Sequence, residues 1–169
     1  MSLLKTPQFW IDHLQMQKHP EGGYFVETYR SAETIPSSGL PDRFGGARSM
    51  STAIYFLLTG SEFSAFHRIA ADEVWHFYEG SGAEVAVIHP DGRFEWLRLG
   101  SRFDQGEQYQ AWVPAGSWFA SRALPADGYA LVGCTVAPGF DFNDFELAQR
   151  DKLVALFPQH KNIITEFTR

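Results

Sequence analysis

From Tyr24 to Val136 the chain breaks into short runs rich in Val, Ile, Phe, Tyr and Trp, separated at fairly even intervals by Gly, Pro, Asp and Ser. This texture predicts strands rather than helices. The expected strands are Tyr24–Arg30, Ser51–Leu58, Ser64–Ala70, Val74–Glu79, Ala83–His89, Phe94–Leu99, Tyr109–Val113, Phe119–Ala123 and Tyr129–Val136. The turns between them have their own chemistry. Pro90-Asp91-Gly92 suits a tight hairpin, while Thr59-Gly60-Ser61, Glu79-Gly80-Ser81-Gly82 and Pro125-Ala126-Asp127-Gly128 supply residues that tolerate a positive φ. Short strands joined in this way predict an all-β sandwich or small barrel.

Helical patterning is confined to the two ends. Thr6-Pro7 reads as an N-cap followed by proline at the first helical position, with Phe9, Trp10, His13 and Leu14 near helical spacing behind it. After Pro138-Gly139 the strand texture stops, and Phe145 to Phe157 places Leu147, Leu153, Leu156 and Phe157 on one helical face that Pro158 ends. Ser31–Arg48, a mixture of Ser, Gly and Pro, reads as one long surface loop, a lid or an arm. With no internal repeat and no linker, residues 1–169 are expected to form a single domain.

Composition narrows the function classes. Of 169 residues 44% are hydrophobic, and the 15 Phe, 5 Trp and 6 Tyr are an aromatic surplus that a buried core or an apolar pocket would use. A net charge of −6, with no Lys/Arg run, is the wrong sign for nucleic acid. Cys134 is the only cysteine, which excludes a disulfide framework and any multi-cysteine metal site and fits a cytoplasmic address. The longest apolar run, Ala53–Leu58, is too short to span a bilayer, and Met1-Ser-Leu-Leu-Lys lacks the features of a signal peptide, so no membrane partner is expected.

The candidate chemistry lies between Gly60 and Gly80, which brings a histidine and a carboxylate onto consecutive strands. Alternation places His67 with Ala65 and Ile69, and Glu73 with Trp75, Phe77 and Glu79. If both faces point inward, His67 and Glu73 meet inside the barrel. The same parity turns His76 to the opposite face, as a packed or interface histidine. Glu27 and Arg30 suit either a pocket mouth or an edge strand, Trp118 a rim or a dimer contact, and Cys134 a small buried hydrophobe. His19-Pro-Glu-Gly-Gly leads into a strand, so it reads as a sharp turn rather than a phosphate cradle. No serine sits in a nucleophile-elbow pattern.

The run Gly60, His67, Ile69, Glu73, Gly80 resembles the first motif of the cupin superfamily, and Pro114, Gly116 and Phe119 resemble the second. A closer resemblance is to a family of small stand-alone RmlC-like cupins of unassigned general function. It is carried by His19-Pro-Glu-Gly-Gly-Tyr-Phe25, Ile54-Tyr-Phe-Leu-Leu58, Phe66-His-Arg68, Glu73-Val-Trp-His-Phe77, Val113-Pro-Ala-Gly-Ser-Trp118 and Ala137-Pro-Gly-Phe-Asp-Phe142. Several phrases in order, over roughly residues 6 to 157, are more specific than either motif alone. The resemblance implies a double-stranded β-helix, the cupin jelly roll, with short N- and C-terminal helices, a pocket between its two sheets and a homodimer. Metal cupins take two histidines and a glutamate from the first motif and a histidine from the second. Ile69 and Phe119 stand at two of those positions, so no metal and no other cofactor is expected.

The expected function is therefore a small-molecule-binding cupin with a metal-free pocket. His67 and Glu73 would be its polar or catalytic anchors, and Trp75, Phe77, Phe119 and Glu79 its substrate-binding wall. The alternatives are a sugar or nucleotide-sugar epimerase or isomerase with His67 as general base, a metal-dependent oxygenase or isomerase, and a dimeric interaction module whose barrel is filled. A cavity beside His67 below roughly 300 Å³ would be too small for a typical metabolite.

Overall fold

Alternating apolar positions along the strands need a second layer to bury them, and two sheets packed face to face supply it. In the computed structural model, which describes residues 5–60 and 62–169, the nine expected strands are present, joined by four two-residue strands that the pattern does not predict. In chain order the elements are α1 (Pro7–Leu14), β1 (Gln17–Lys18), β2 (Tyr24–Arg30), β3 (Thr34–Ile35), β4 (Arg48–Ser49), β5 (Thr52–Thr59), β6 (Phe63–Arg68), β7 (Asp72–Gly80), β8 (Ala83–Ile88), β9 (Phe94–Leu99), β10 (Gln110–Val113), β11 (Trp118–Ala123), β12 (Tyr129–Ala137), β13 (Glu146–Leu147), α2 (Arg150–Leu156) and α3 (Lys161–Glu166). Ser61 of the Thr59-Gly60-Ser61 turn, and residues 1–4 of the segment read for a signal peptide, lie outside the described residues. Among the described residues no helix is long and apolar enough to cross a membrane.

One sheet has six strands in the order β1-β2-β5-β12-β7-β10, the other five in the order β13-β6-β11-β8-β9, and every named pairing within them is antiparallel. Hydrophobic packing forms three clusters. Between the sheets lies the barrel core, with Phe56, Trp75 and Phe119 nearly sealed from solvent. Phe66, Trp118, Leu153, Ile164 and Phe167 fill the outside of the five-stranded sheet, where α2 and α3 pack. Trp10, Ile11 and Leu14 of α1 cover Met16, Leu57 and Leu131 on the outside of the six-stranded sheet. Helix α1 starts as expected, the Thr6 hydroxyl accepting from the Phe9 N–H at 3.2 Å with Pro7 behind it.

Three expectations change. The C-terminal helical pattern begins at Arg150, not Phe145, because Glu146 and Leu147 pair with Arg68 and His67 as β13. Sheet pairing here overrides local periodicity. The Ser31–Arg48 loop is pinned rather than free. Its stem pairs β3 with β4, Phe44 is buried in the barrel core, and Arg48 forms a buried bidentate ion pair with Asp144. Trp118 is buried under the Arg68 guanidinium, 4.7 Å from the ring centre, and forms no rim.

Candidate functional site

A cavity of about 280 Å³ opens at one end of the barrel, between β2, β5 and β12 on one side and β6 on the other. Four of its buried ionisable side chains come from three segments: His19 and Glu21 from the β1–β2 turn, His67 from β6 and Glu73 from β7. Five phenylalanines, at positions 25, 56, 140, 142 and 145, form most of its aromatic wall. Residues 140–145 follow the last long strand and fold back over the mouth, their rings stacked edge to face at 5.0 to 6.4 Å.

The β1–β2 turn delivers Glu21 into the interior. Gly22 adopts φ +115 and Gly23 φ +74, and a Cβ on Gly22 would stand 2.2 Å from the Phe63 carbonyl oxygen. Only glycine lets this turn press against β6, where the Ala65 N–H donates to the Glu21 carbonyl at 2.8 Å. The Glu21 carboxyl is thereby buried beside Ser64, His67 and His19.

Hydrogen-bond directions fix its protonation. The Ser64 hydroxyl donates to Glu21 Oε1 at 2.9 Å, and Glu21 Oε2 stands 3.0 Å from His67 Nε2. His67 Nδ1 lies 2.8 Å from the Ala65 carbonyl, which can only accept, so Nδ1 carries a proton. One further proton is shared between Nε2 and Oε2. Burial raises the Glu21 carboxyl well above its usual range, with the Glu73 charge adding to the rise. Burial also lowers His67 to about 3, against the opposing Ala65 hydrogen bond. The pair is a carboxylic acid donating to a neutral imidazole. His19 is likewise neutral, lowered to about 4 by burial. Its Nδ1 accepts from the Glu21 N–H at 3.3 Å and stands 3.3 Å from Glu21 Oε2, and the residue lines the cavity.

Glu73 differs from Glu21. It is 8% exposed, lines the cavity and, among the described residues, makes no ion pair; its polar neighbours are the Cys134 thiol and the Trp75 indole. Burial raises its pKa to about 7, offset in part by the Cys134 thiol and the Trp75 indole beside it. The buried Trp75 Nε1 is itself without an acceptor at bonding distance. Cys134 is held as a thiol, its pKa pushed up by burial and by Glu73, which makes it a poor nucleophile.

Several sequence expectations are redirected. His67 and Glu73 both face the cavity, but the hydrogen-bonded carboxyl partner of His67 is Glu21, a residue the sequence pattern assigned only to a turn. Trp75 and Phe119 are inward yet form the packed floor instead of the lining, Phe119 lying 4.0 Å from the His67 ring between centres. Phe77 packs against the same core without reaching the cavity. Glu79 points the other way. The β7–β12 register shifts opposite Leu131 and Val132, leaving Tyr78 unpaired, so parity reverses and Glu79 bonds Lys5 at 2.7 Å on the outer side. His76 is on the opposite face from Glu73, beside Thr135 and Gln110.

The mouth uses the same device. A register shift between Glu27 and Tyr29 brings Glu27 and Arg30, three residues apart, to the same side, where both line the cavity. There they form a bidentate pair at 2.9 and 2.7 Å, and Arg30 also donates to the Phe140 carbonyl at 3.1 Å. This is the pocket-mouth placement of the two that the sequence left open.

The donor set does not suit a metal ion. Ile69 and Phe119 occupy two positions of the cupin ligand pattern, His67 Nε2 is engaged by Glu21, and among the described residues no three His, Cys, Asp or Glu side chains gather with ligand geometry.

Residues 8–148 match the family described as Cupin superfamily (DUF985). The chain is 34% identical over 143 residues to the uncharacterized protein YML079W of Saccharomyces cerevisiae, covering 79% of this chain and 71% of that one. Among solved structures it resembles a hypothetical protein from Leishmania major, at 36% identity and a TM-score of 0.87, over 97% of this chain and 99% of that one. It also resembles a protein from Shewanella oneidensis, at 38% identity and a TM-score of 0.88, over 98% and 99%. Oxalate decarboxylase from Bacillus subtilis shares the fold alone, at 18% identity and a TM-score of 0.52, over 89% of this chain and 36% of that one.

Proposed function

The chain belongs to the DUF985 family of the cupin superfamily, and on that footing we propose that it binds a small organic molecule through protein side chains at the barrel mouth, without a metal. The observation that carries this reading is the convergence of Glu21, His67, Glu73 and His19 on one open, aromatic-walled cavity. Four buried ionisable groups cost stability that a filled core would avoid, so the barrel is built to receive a polar partner. The volume, about 280 Å³, is below the roughly 300 Å³ expected for a typical metabolite and to that extent favours the filled-barrel alternative, so a ligand must be small or lie partly outside the barrel. This limits the enclosed part of the ligand to a small molecule and leaves no room inside for a whole nucleotide sugar. A cytoplasmic setting, in keeping with the lone buried thiol, belongs to the same reading.

A second reading, proton transfer in an epimerase or isomerase, is favoured by Glu73 specifically. His67 is a poor base because both ring nitrogens are engaged, whereas Glu73 makes no ion pair among the described residues and titrates near neutrality. Glu73 thus takes the role first given to His67. Native mass spectrometry of the purified protein tests the main reading. The expected result is a small-molecule adduct on the wild type that is absent from Ile54→Trp, in which the cavity is filled. Identical masses for the two, and no adduct on exposure to a metabolite panel, refute it. Turnover of the adduct compound that survives Glu73→Gln unchanged would remove the catalytic reading and leave binding.

The protein is further proposed to be a homodimer. Its support is a row across the outer face of the six-stranded sheet, Tyr29–Ala53–Thr135–Val74–Trp112, in which each residue is paired in register with the next. None of these side chains is charged, and Tyr29 and Trp112 are more than half exposed.

A further inference from the structure

Among the described residues the cavity holds no free cation. Of its four carboxyl groups, Glu21 keeps its proton and Glu27 is paired with Arg30, the single guanidinium, which leaves Glu73 inside and Asp141 at the mouth. That guanidinium is already held by Glu27, and both histidines are neutral. An anionic ligand would therefore meet carboxyl groups with no free cation to receive it. A neutral ligand would leave Glu73 as it is, an acid buried to 8% exposure with no cation beside it among the described residues. The walls favour the remaining class, because the faces of aromatic rings attract organic cations, most strongly where water is excluded.

We propose that the pocket takes a small organic ammonium ion, its N–H groups on the Glu73 carboxylate and its carbon frame among Phe25, Phe56, Phe140, Phe142 and Phe145. This rests on the reading of the cavity as a small-molecule site. His19 lines the same space beside Glu21. Arg30 at the mouth screens out nothing of this kind, since its charge is cancelled by Glu27.

Binding is then coupled to pH through Glu73. The titratable and charged groups facing it are Glu21 and His19 from the β1–β2 turn, His67 from β6 and Cys134 from β12, with Glu27, Arg30 and Asp141 at the mouth. His19 and His67 titrate at about 4 and about 3, and Cys134 well above its usual value. Glu21 keeps its proton, donated in the hydrogen bond to His67 Nε2. Glu73, at about 7, is the group that changes charge near neutrality. An ammonium ligand that needs its carboxylate loses roughly 30-fold in affinity between pH 8 and pH 5.5, the fraction ionised falling by that factor.

Three probes of one shape and three charges test this by calorimetry on the full chain: benzylammonium, benzyl alcohol and benzoate. At pH 8 benzylammonium is expected to bind at least tenfold more tightly than benzyl alcohol, with benzoate weakest. Its affinity should fall about 30-fold by pH 5.5 while that of the alcohol stays constant. Glu73→Gln should bring benzylammonium down to the affinity of the alcohol, and retained alcohol binding shows that the variant is folded. Benzyl alcohol or benzoate matching benzylammonium in the wild type at pH 8 overturns the ammonium assignment and leaves the pocket reading intact. If none of the three binds at millimolar concentration, while native mass spectrometry shows a different adduct, the assignment fails alone. If neither experiment shows a ligand, both fail.

Discussion

A carboxyl group buried without a cation beside it makes stability depend on pH in a definite direction. For Glu73 the folded-state pKa is raised from 4.5 to about 7, so the folded protein keeps its proton where the unfolded chain releases it. The associated stability is fully present below about 4.5 and is lost as pH rises through about 7, a change of about 3 kcal/mol at most. His19 and His67 run the other way. Lowered to about 4 and about 3, they stay neutral in the fold, and their stability is lost as pH falls below the unfolded histidine value. These effects oppose each other between about pH 4.5 and 6.5, and Glu21, raised like Glu73, adds to the carboxyl side, so a substitution is needed to isolate any one of them. Glu73→Gln should gain on the wild type by up to about 3 kcal/mol from pH 4.5 to pH 8. Urea unfolding at a series of pH values measures this, and a pH-independent difference would show that Glu73 ionises freely in the folded protein. At this scale the sequence pointed to two of the four ionisable groups, His19, Glu21, His67 and Glu73, that converge on the cavity. His67 and Glu73 were legible because strand parity places them. Glu21 was not, because a turn residue acquires its meaning only from the strand it is pressed against, and the nearest clue was a carboxylate set directly before Gly22-Gly23.

Elements decide which of these residues can meet. Local register does the work that simple alternation misses: the irregularity at Tyr78 sends Glu79 outward to Lys5, and the one between Glu27 and Tyr29 brings Glu27 and Arg30 together at the mouth. One extra residue in a strand reverses every later side chain, and no feature of the composition around Tyr78 announces it. The turn before β2 is more readable in hindsight, since two consecutive glycines mark a backbone that other residues cannot follow. Gly22→Ala should be costly on two counts, a side chain at φ +115 and a Cβ 2.2 Å from the Phe63 carbonyl oxygen. A loss of at least about 2 kcal/mol is expected. Because the turn carries Glu21, the loss should be accompanied by weaker binding of whatever ligand the pocket holds. Thermal unfolding and calorimetry on the same variant check both, and an unchanged melting temperature would mean that the turn tolerates a second conformation.

At the scale of the whole molecule, the fold was the most legible feature because it follows from many weak signals that agree: strand texture, turn residues and phrase order all lead to one jelly roll. Its outer surface was less so. Helix α1 covers one part of the six-stranded sheet, over Leu57 and Leu131, whereas the row from Tyr29 to Trp112 lies uncovered on the same face. His76 and Gln110 of the adjoining row bond to each other, so the polar groups beside Trp112 are already satisfied within the protein. With a net charge of −6, two copies repel except where neither presents charge, and this row is such a place. A two-fold axis through the row would set each Trp112 against the sheet of the other copy, the self-complementary arrangement of a symmetric dimer. Trp112→Glu should then do more than remove an anchor, because the axis brings two added carboxylates into one interface. The expected outcome is a monomer at micromolar concentration with the melting temperature of its own fold retained, and the pocket unaffected, since Trp112 lies on the opposite side of the sheet from Glu73. Light scattering on the wild type and the variant decides it. A wild type that is already monomeric, or a variant that stays dimeric, assigns the aromatic row to something other than a second copy of this chain.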